Sequence, residues 1–292
     1  MNLLPIWAWI GLICAFSVAT ADAFSKHFLQ DKEPLTVALI RWFYTSLFLS
    51  PALFMEPIRW SSALIGWLVL VMPLEVFAIS IYMKALKTSP LSLVAPFTSL
   101  SPVFLFFISY FLLGEVPHLL GVVGVFLVVA GSFYLNSGDS TGKGRAPWDV
   151  YRDPGVRCML LATLTFAFTA PISKKIFLLS PTVSLIALYS LLSSLTLILY
   201  LFFRQGFKPF RALADRPYRY WPMALFDAVG YWSNFAGMRQ TDVSYFIAIK
   251  RTSLFFAILY GGILFKEKDL RGRLFGGVLM LLGILLIALF RN

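Results

Sequence analysis

Ala63-Leu-Ile-Gly-Trp-Leu-Val-Leu-Val-Met-Pro-Leu-Glu75-Val-Phe-Ala-Ile-Ser-Ile-Tyr82-Met83 carries one charged side chain in a run otherwise dominated by aliphatic and aromatic residues. A helix needs about 20 such residues to cross the hydrocarbon of a bilayer, so this stretch reads as a membrane span. Applied outward, the same ruler gives ten spans, at roughly 6–25, 35–55, 63–83, 91–113, 118–136, 157–178, 182–203, 220–238, 243–265 and 273–290. They must be helices, because lipid leaves every backbone polar group to be satisfied inside its own segment. Runs of this length do not suit the alternating strands of a β-barrel. The fold class expected is therefore an all-α polytopic membrane protein.

Composition agrees. The 292 residues are 59% hydrophobic and 13% charged, with a mean hydropathy of +0.79, whereas soluble domains carry about 25% charged residues. The net charge of +11 does not point to nucleic acid, since the basic residues sit in short segments between apolar runs. Cys14 and Cys158 lie in apolar segments and outline no disulfide or zinc framework. His27 and His118 stand at segment ends, so a His-rich metal site is not expected. Neither a cofactor nor catalytic residues are expected: there is no paired-Asp protease motif and no aspartate-rich diphosphate motif. The first segment has no basic stretch before it and no small-residue cleavage site, and is expected to be retained.

The long hydrophilic stretch from Asn136 to Arg157 divides the ten spans into five and five. Units at 1–136 and 157–292, joined by 137–156, follow from that division. An offset of 152 superimposes Glu115 on Glu267, Gly124 on Gly276, Gly131 on Gly283 and Ser101 on Ser253. Nearer the start of each half an offset of 148 places Ser25-Lys26 on Ser173-Lys174. Five is odd, so the second set must enter the membrane in the opposite sense. Inverted repeats with a site near the midplane are a signature of secondary transporters.

Several local patterns are similar to the drug/metabolite transporter superfamily of EamA type. They are Phe24-Ser25-Lys26 after segment one, the stretch from Pro34 to Arg41-Trp42 opening segment two, and Leu113-Gly114-Glu115 ending segment four. Phe265-Lys266-Glu267 ends segment nine, and glycine-rich segments five and ten follow. Lys266 stands where the family usually has Gly. The resemblance covers nearly the whole chain. It implies transport of small molecules across the cell membrane of a bacterium or archaeon, without naming a substrate.

An ionisable group inside the hydrocarbon costs about 2.5–3.5 kcal/mol on insertion scales. Six lie well inside segments: Asp22, Arg41, Glu75, Asp227, Lys250 and Arg251. Asp22 and Arg41 lie on the side of the loop that joins their segments and read first as a structural ion pair, or Arg41 as snorkelling to the headgroups, with direct substrate contact as the alternative. Glu75 and Asp227 are equivalents at offset 152. Tyr82 follows Glu75, and Tyr231 and Asn234 follow Asp227, along the same helical stripe. These acids are expected to wall a central cavity, with Trp232 shaping it, and either acid is a candidate carrier of a coupling proton. The competing reading is that each merely neutralises a basic group. The adjacent Lys250-Arg251 is similar to the Lys-Arg pair in the ninth helix of plastid sugar-phosphate translocators, which implies contact with an anionic group. The alternative is a salt bridge to Asp227 or Glu75.

Loop charge and family resemblance disagree on orientation. Most loop Lys and Arg fall on the side opposite the termini, which places the termini outside the cytosol; the resemblance implies termini inside. The function expected is a secondary transporter of an amino acid or small organic anion, for which a monomer suffices. Its rivals are a proton-coupled exporter of lipophilic cations, using Asp22, Glu75 and Asp227, and a non-transporting membrane sensor.

Overall fold

The structure is a computed structural model and describes residues 5–89, 94, 97–98, 100–116, 118–137, 151–256, 260 and 270–289. Its long helices are α1 (Ile6–Phe28), α2 (Pro34–Leu49), α3 (Ser62–Thr88), α4 (Ser101–Leu113) and α5 (Leu119–Ser137) in the first half. The second half has α6 (Pro154–Leu179), α7 (Val183–Gln205), α8 (Trp221–Met238), α9 (Val243–Lys250) and α10 (Leu270–Leu289). Among the described residues five stretches are long and apolar enough to cross a bilayer: Ile6–Ser25, Pro34–Phe54, Ser62–Thr88, Pro154–Leu179 and Val183–Gln205. The starts follow local chemistry. Side-chain oxygens of Ser61, Asp153 and Thr182 accept from the backbone N–H groups of Leu64, Val156 and Leu185, capping α3, α6 and α7. Helix α4 stops at Gly114, whose φ of +70° belongs to the left-handed region that a glycine enters without Cβ strain.

Packing is symmetric between the halves. Helix α1 lies on α8 and α3 on α6, while α2 meets α7, α4 meets α9 and α5 meets α10. Exchanging α1–α5 with α6–α10 maps each of these pairings onto another or onto itself. The halves therefore interlock. Their shared core gathers Cys14, Met72, Ile172, Phe177, Tyr189, Phe235 and Phe246. At the crossing of α5 and α10 a Cβ on Gly124 would sit 2.7 Å from the carbonyl oxygen of Gly283, and one on Gly283 would sit 2.5 Å from that of Gly124. Small residues let membrane helices approach backbone to backbone where hydrophobic driving force is absent.

The two ends of the bundle are distinguished by their loop contacts. At the end of the α2–α3 and α4–α5 loops, Glu56 accepts from Val183 N–H and Glu115 from Val243 N–H. At the opposite end, where α5 finishes and α6 begins, Lys87 pairs with Glu33, Lys32 with Asp215, and Ser89 donates to Asp153. This sorting is what strict up-and-down alternation produces.

Three expected spans differ from the helices found. Segment two ends its α-helix at Leu49 and continues as a 3-10 turn over Ser50–Phe54 that holds Pro51. In segment four the helix runs from Ser101, after a turn at Leu100, with Pro102 in its first turn. In segment nine the helix stops at Lys250, turns at Arg251 and Thr252, and resumes over 253–256. No proline causes that second break. The Thr252 hydroxyl donates to the Ile249 carbonyl at 2.8 Å, and side-chain bonds of this kind compete with the helical ladder. Leu100 and Thr252 are equivalents at offset 152, so the two halves interrupt the same helix at the same place. The expected motif at Lys266-Glu267 and most of the connecting stretch 137–156 fall outside the described residues.

Candidate functional site

Helix α2 brings Arg41 between α1 and α8. Its Nη1 donates to Asp22 Oδ1 at 2.6 Å, while Nε and Nη2 donate to Asp227 Oδ1 at 2.7 and 2.5 Å. One turn on, Thr45 Oγ1 donates to Asp227 Oδ2 at 2.9 Å, as the i,i+4 spacing allows. The Asp227 side chain is 5% exposed, that of Arg41 11% and that of Asp22 40%. Both oxygens of Asp227 are thus engaged, and Arg41 ties three helices together. Asp227 was expected to line an open cavity. Instead the guanidinium on the neighbouring helix, with its rigid fork of donors, occupies it.

The equivalent acid has different company. Glu75 Oε1 accepts a hydrogen bond from Tyr189 Oη at 3.0 Å, and among the described residues no cation pairs with it. Tyr189 sits among the rings of Phe177 and Phe235, with centroids 5.9 and 5.4 Å away. At offset 148, Tyr189 is the counterpart of Arg41 and Ser193 that of Thr45. Ser193 Oγ donates to the Tyr189 carbonyl at 2.9 Å. The position that supplies a cation in one half supplies a phenol in the other. Tyr189 went unremarked in the sequence, yet the offset that aligns Lys26 with Lys174 leads directly to it.

Lys250 and Arg251 stand at the break after α9. Lys250 Nζ donates to Asn234 Oδ1 at 2.9 Å, and Arg251 Nε donates to Ser101 Oγ at 3.0 Å, on the first residue of α4. Among the described residues neither cation forms an ion pair, so the salt bridge to Asp227 or Glu75 is not made. Tyr82 lies within Coulombic reach of Asp22, Arg41 and Arg251, and Tyr231 within reach of Glu75 and Asp227. The structure therefore gathers Asp22, Arg41, Glu75, Tyr82, Asp227, Tyr231, Asn234, Lys250 and Arg251 around one centre. Trp232 is left out. It is 47% exposed, because consecutive helical residues point about 100° apart and Tyr231 already takes the inward direction. Among the described residues no three His, Cys, Asp or Glu gather as a metal site would require.

A second ion pair closes the end of the bundle at the α4–α5 loop. Lys174 Nζ lies 2.5 Å from Glu115 Oε1 and donates to the Thr241 carbonyl at 2.7 Å, while Glu115 Oε2 accepts from Val243 N–H at 3.0 Å. Glu115 thereby caps the start of α9 and locks it to α6. Burial pushes the Glu115 carboxyl above the usual carboxylate range, against the pull of Lys174 and of the Val243 N–H. Lys174, the offset counterpart of Lys26, and Glu115, which ends segment four, are here two halves of one contact.

No curated protein matches the sequence. A solved crystal structure of a protein at 16% identity superposes with a TM-score of 0.71, covering 98% of this chain and 96% of that one, which establishes a shared fold. The sequence matches the EamA-like transporter family twice, over residues 5–137 and 153–289. With one match falling on each half of the interlocked bundle, the chain belongs to the EamA-like transporter family: it is a multi-pass integral membrane protein that transports small molecules.

Proposed function

We propose that the protein is a secondary transporter carrying a small metabolite with an anionic group, an amino acid or a small organic anion, by alternating access in a bacterial or archaeal cell membrane. Residues 1–136 and 157–292 act as its two inverted units, joined by 137–156. The observation that carries this reading is the pair of cations at the break after α9. Among the described residues Lys250 and Arg251 hold the neutral partners Asn234 and Ser101 and form no ion pair, and a charge in hydrocarbon without a counter-charge is expensive. A substrate carboxylate or phosphate supplies that counter-charge, with Arg251 able to offer a bidentate fork. Discontinuous helices at the midplane are where such sites are built. Glu75, held by a tyrosine, can take up and release a proton without breaking an ion pair, and suits either proton coupling or the ammonium group of a zwitterion. Tyr82, Tyr231 and Asn234 shape the pocket. The cation-exporter reading is weaker, since two of the three acids it needs are bound by Arg41.

Flux into proteoliposomes screened with amino acids and organic anions tests the reading. Lys250→Ala and Arg251→Ala should each lower transport of an accepted anionic substrate by about thirty-fold or more, the scale of losing one partner of a desolvated charge pair. Unchanged flux in both variants, in protein that reconstitutes normally, sinks the anion-site role.

A further inference from the structure

We propose that the cleft between the start of α2 and the ends of α3 and α7 binds the headgroup of an anionic phospholipid. The cleft measures about 410 Å³ and lies at the end of the bundle where α5 finishes and α6 begins, away from the central site. Helix α3 presents Phe77, Ile81 and Lys84 to it at i, i+4 and i+7, with Lys87 one turn further on. Helix α7 adds Tyr200 and Arg204, and α2 adds Glu33, Pro34 and Leu35.

Charge and polarity are layered as a lipid needs them. Toward the membrane interior the wall is apolar, and Phe77 is 49% exposed. At the rim stand three cations and one acid. Lys87 Nζ is neutralised by Glu33 Oε2 at 2.7 Å. Lys84 forms no ion pair among the described residues, and Arg204 donates to the Tyr200 hydroxyl and lies 5.8 Å from that ring's centroid. Two positive charges are therefore left over beside the start of α2, whose N-terminus no side chain caps and whose dipole adds further positive potential. A phosphodiester monoanion complements that surplus, and the apolar wall below accommodates an acyl chain. A freely soluble anion uses only the rim. Basic pockets between transmembrane helices bind anionic lipid headgroups in this manner.

The test is native mass spectrometry of the detergent-purified full chain titrated with phosphatidylglycerol or phosphatidylcholine of equal chain length. Tighter retention of phosphatidylglycerol is expected. Lys84→Gln combined with Arg204→Gln should weaken it about twenty-five-fold, at roughly a factor of five per charge lost near the surface. Ser80→Trp, which fills the cleft without changing charge, should weaken it as well. Lys208→Gln with Arg211→Gln, on the neighbouring loop, should leave retention unchanged. The proposal is overturned if phosphatidylcholine is held as tightly, or if the loop variant weakens retention as much as the cleft variant. It is equally overturned if inorganic phosphate at millimolar concentration displaces the lipid, which would make the rim a site for free anions. Thermal midpoints of all variants within the wild-type range confirm that each is folded.

Discussion

The two halves of the molecule hold their buried acids at the same place in the same fold and treat them in opposite ways. Asp227 on α8 takes two bonds from Arg41 and one from Thr45. Glu75 on α3 takes one bond from Tyr189, the residue that stands where Arg41 would. An acid saturated by a guanidinium fastens helices. An acid held by a phenol makes, among the described residues, no ion pair that protonation would have to break. Duplication supplied two identical positions, and divergence at the second helix of each half separated a fastening role from a working one. The same logic extends to the centre: Arg41 is paired with its own aspartates, whereas Lys250 and Arg251, at the helix break, form no ion pair among the described residues.

The largest effect should come from breaking the saturated side. Arg41→Met leaves Asp227 buried with the Thr45 hydroxyl but without a counter-charge, a change that costs about 3–5 kcal/mol; Asp22, 40% exposed, adds little because water reaches it. The thermal midpoint in detergent should fall several times further than for any change at Glu75 or Tyr189. Adding Asp227→Asn to Arg41→Met removes the orphaned charge and should recover much of the loss. If Arg41→Met melts no earlier than Tyr189→Phe, the contrast between the halves is wrong.

How far the sequence reveals this contrast depends on the kind of signal. Span length and apolarity expose the ten helices, because lipid forces each one to satisfy its backbone alone. The offset pairs Glu75 with Asp227 and, shifted by four residues, Arg41 with Tyr189. The partnership of Arg41 with Asp227 is invisible in one dimension: Asp22 is the nearer acid in the chain, and choosing Asp227 requires knowing that α2 packs against α8. The break after Lys250 is equally hidden. Pro102 marks the interruption in segment four, but the one in segment nine rests on a threonine hydroxyl, and threonine sits in many unbroken helices. Trp232 misleads for the opposite reason, since an aromatic beside a polar stripe belongs to the lipid face as readily as to a pocket.

The working side should respond in function more than in stability. Glu75→Gln keeps the acceptor for Tyr189 and removes the titratable proton. It should change stability by less than about 1 kcal/mol, the net worth of a typical hydrogen bond. Flux measured in proteoliposomes from pH 5 to 8 should lose its pH dependence, while Asp227→Asn should keep the dependence and lower the yield of folded protein. A pH-dependent Glu75→Gln transporter would move the coupling proton elsewhere. A pH-independent Asp227→Asn transporter would assign it to the arginine-bound acid and reverse the division of labour.

The smallest effect, and the most discriminating, belongs to Tyr189→Phe. The ring remains between Phe177 and Phe235, so packing is conserved and only the hydroxyl that donates to Glu75 is lost. A stability loss of about 1 kcal/mol is expected, far below that of Arg41→Met at the equivalent position. A residue that merely packs would give no more than this. A residue that positions the carboxyl must also move the pH midpoint of transport, because the bond it donates distinguishes the charged from the neutral acid. A Tyr189→Phe pH profile superimposable on the wild type would therefore separate the tyrosine from Glu75 function and leave the two halves alike in everything except charge.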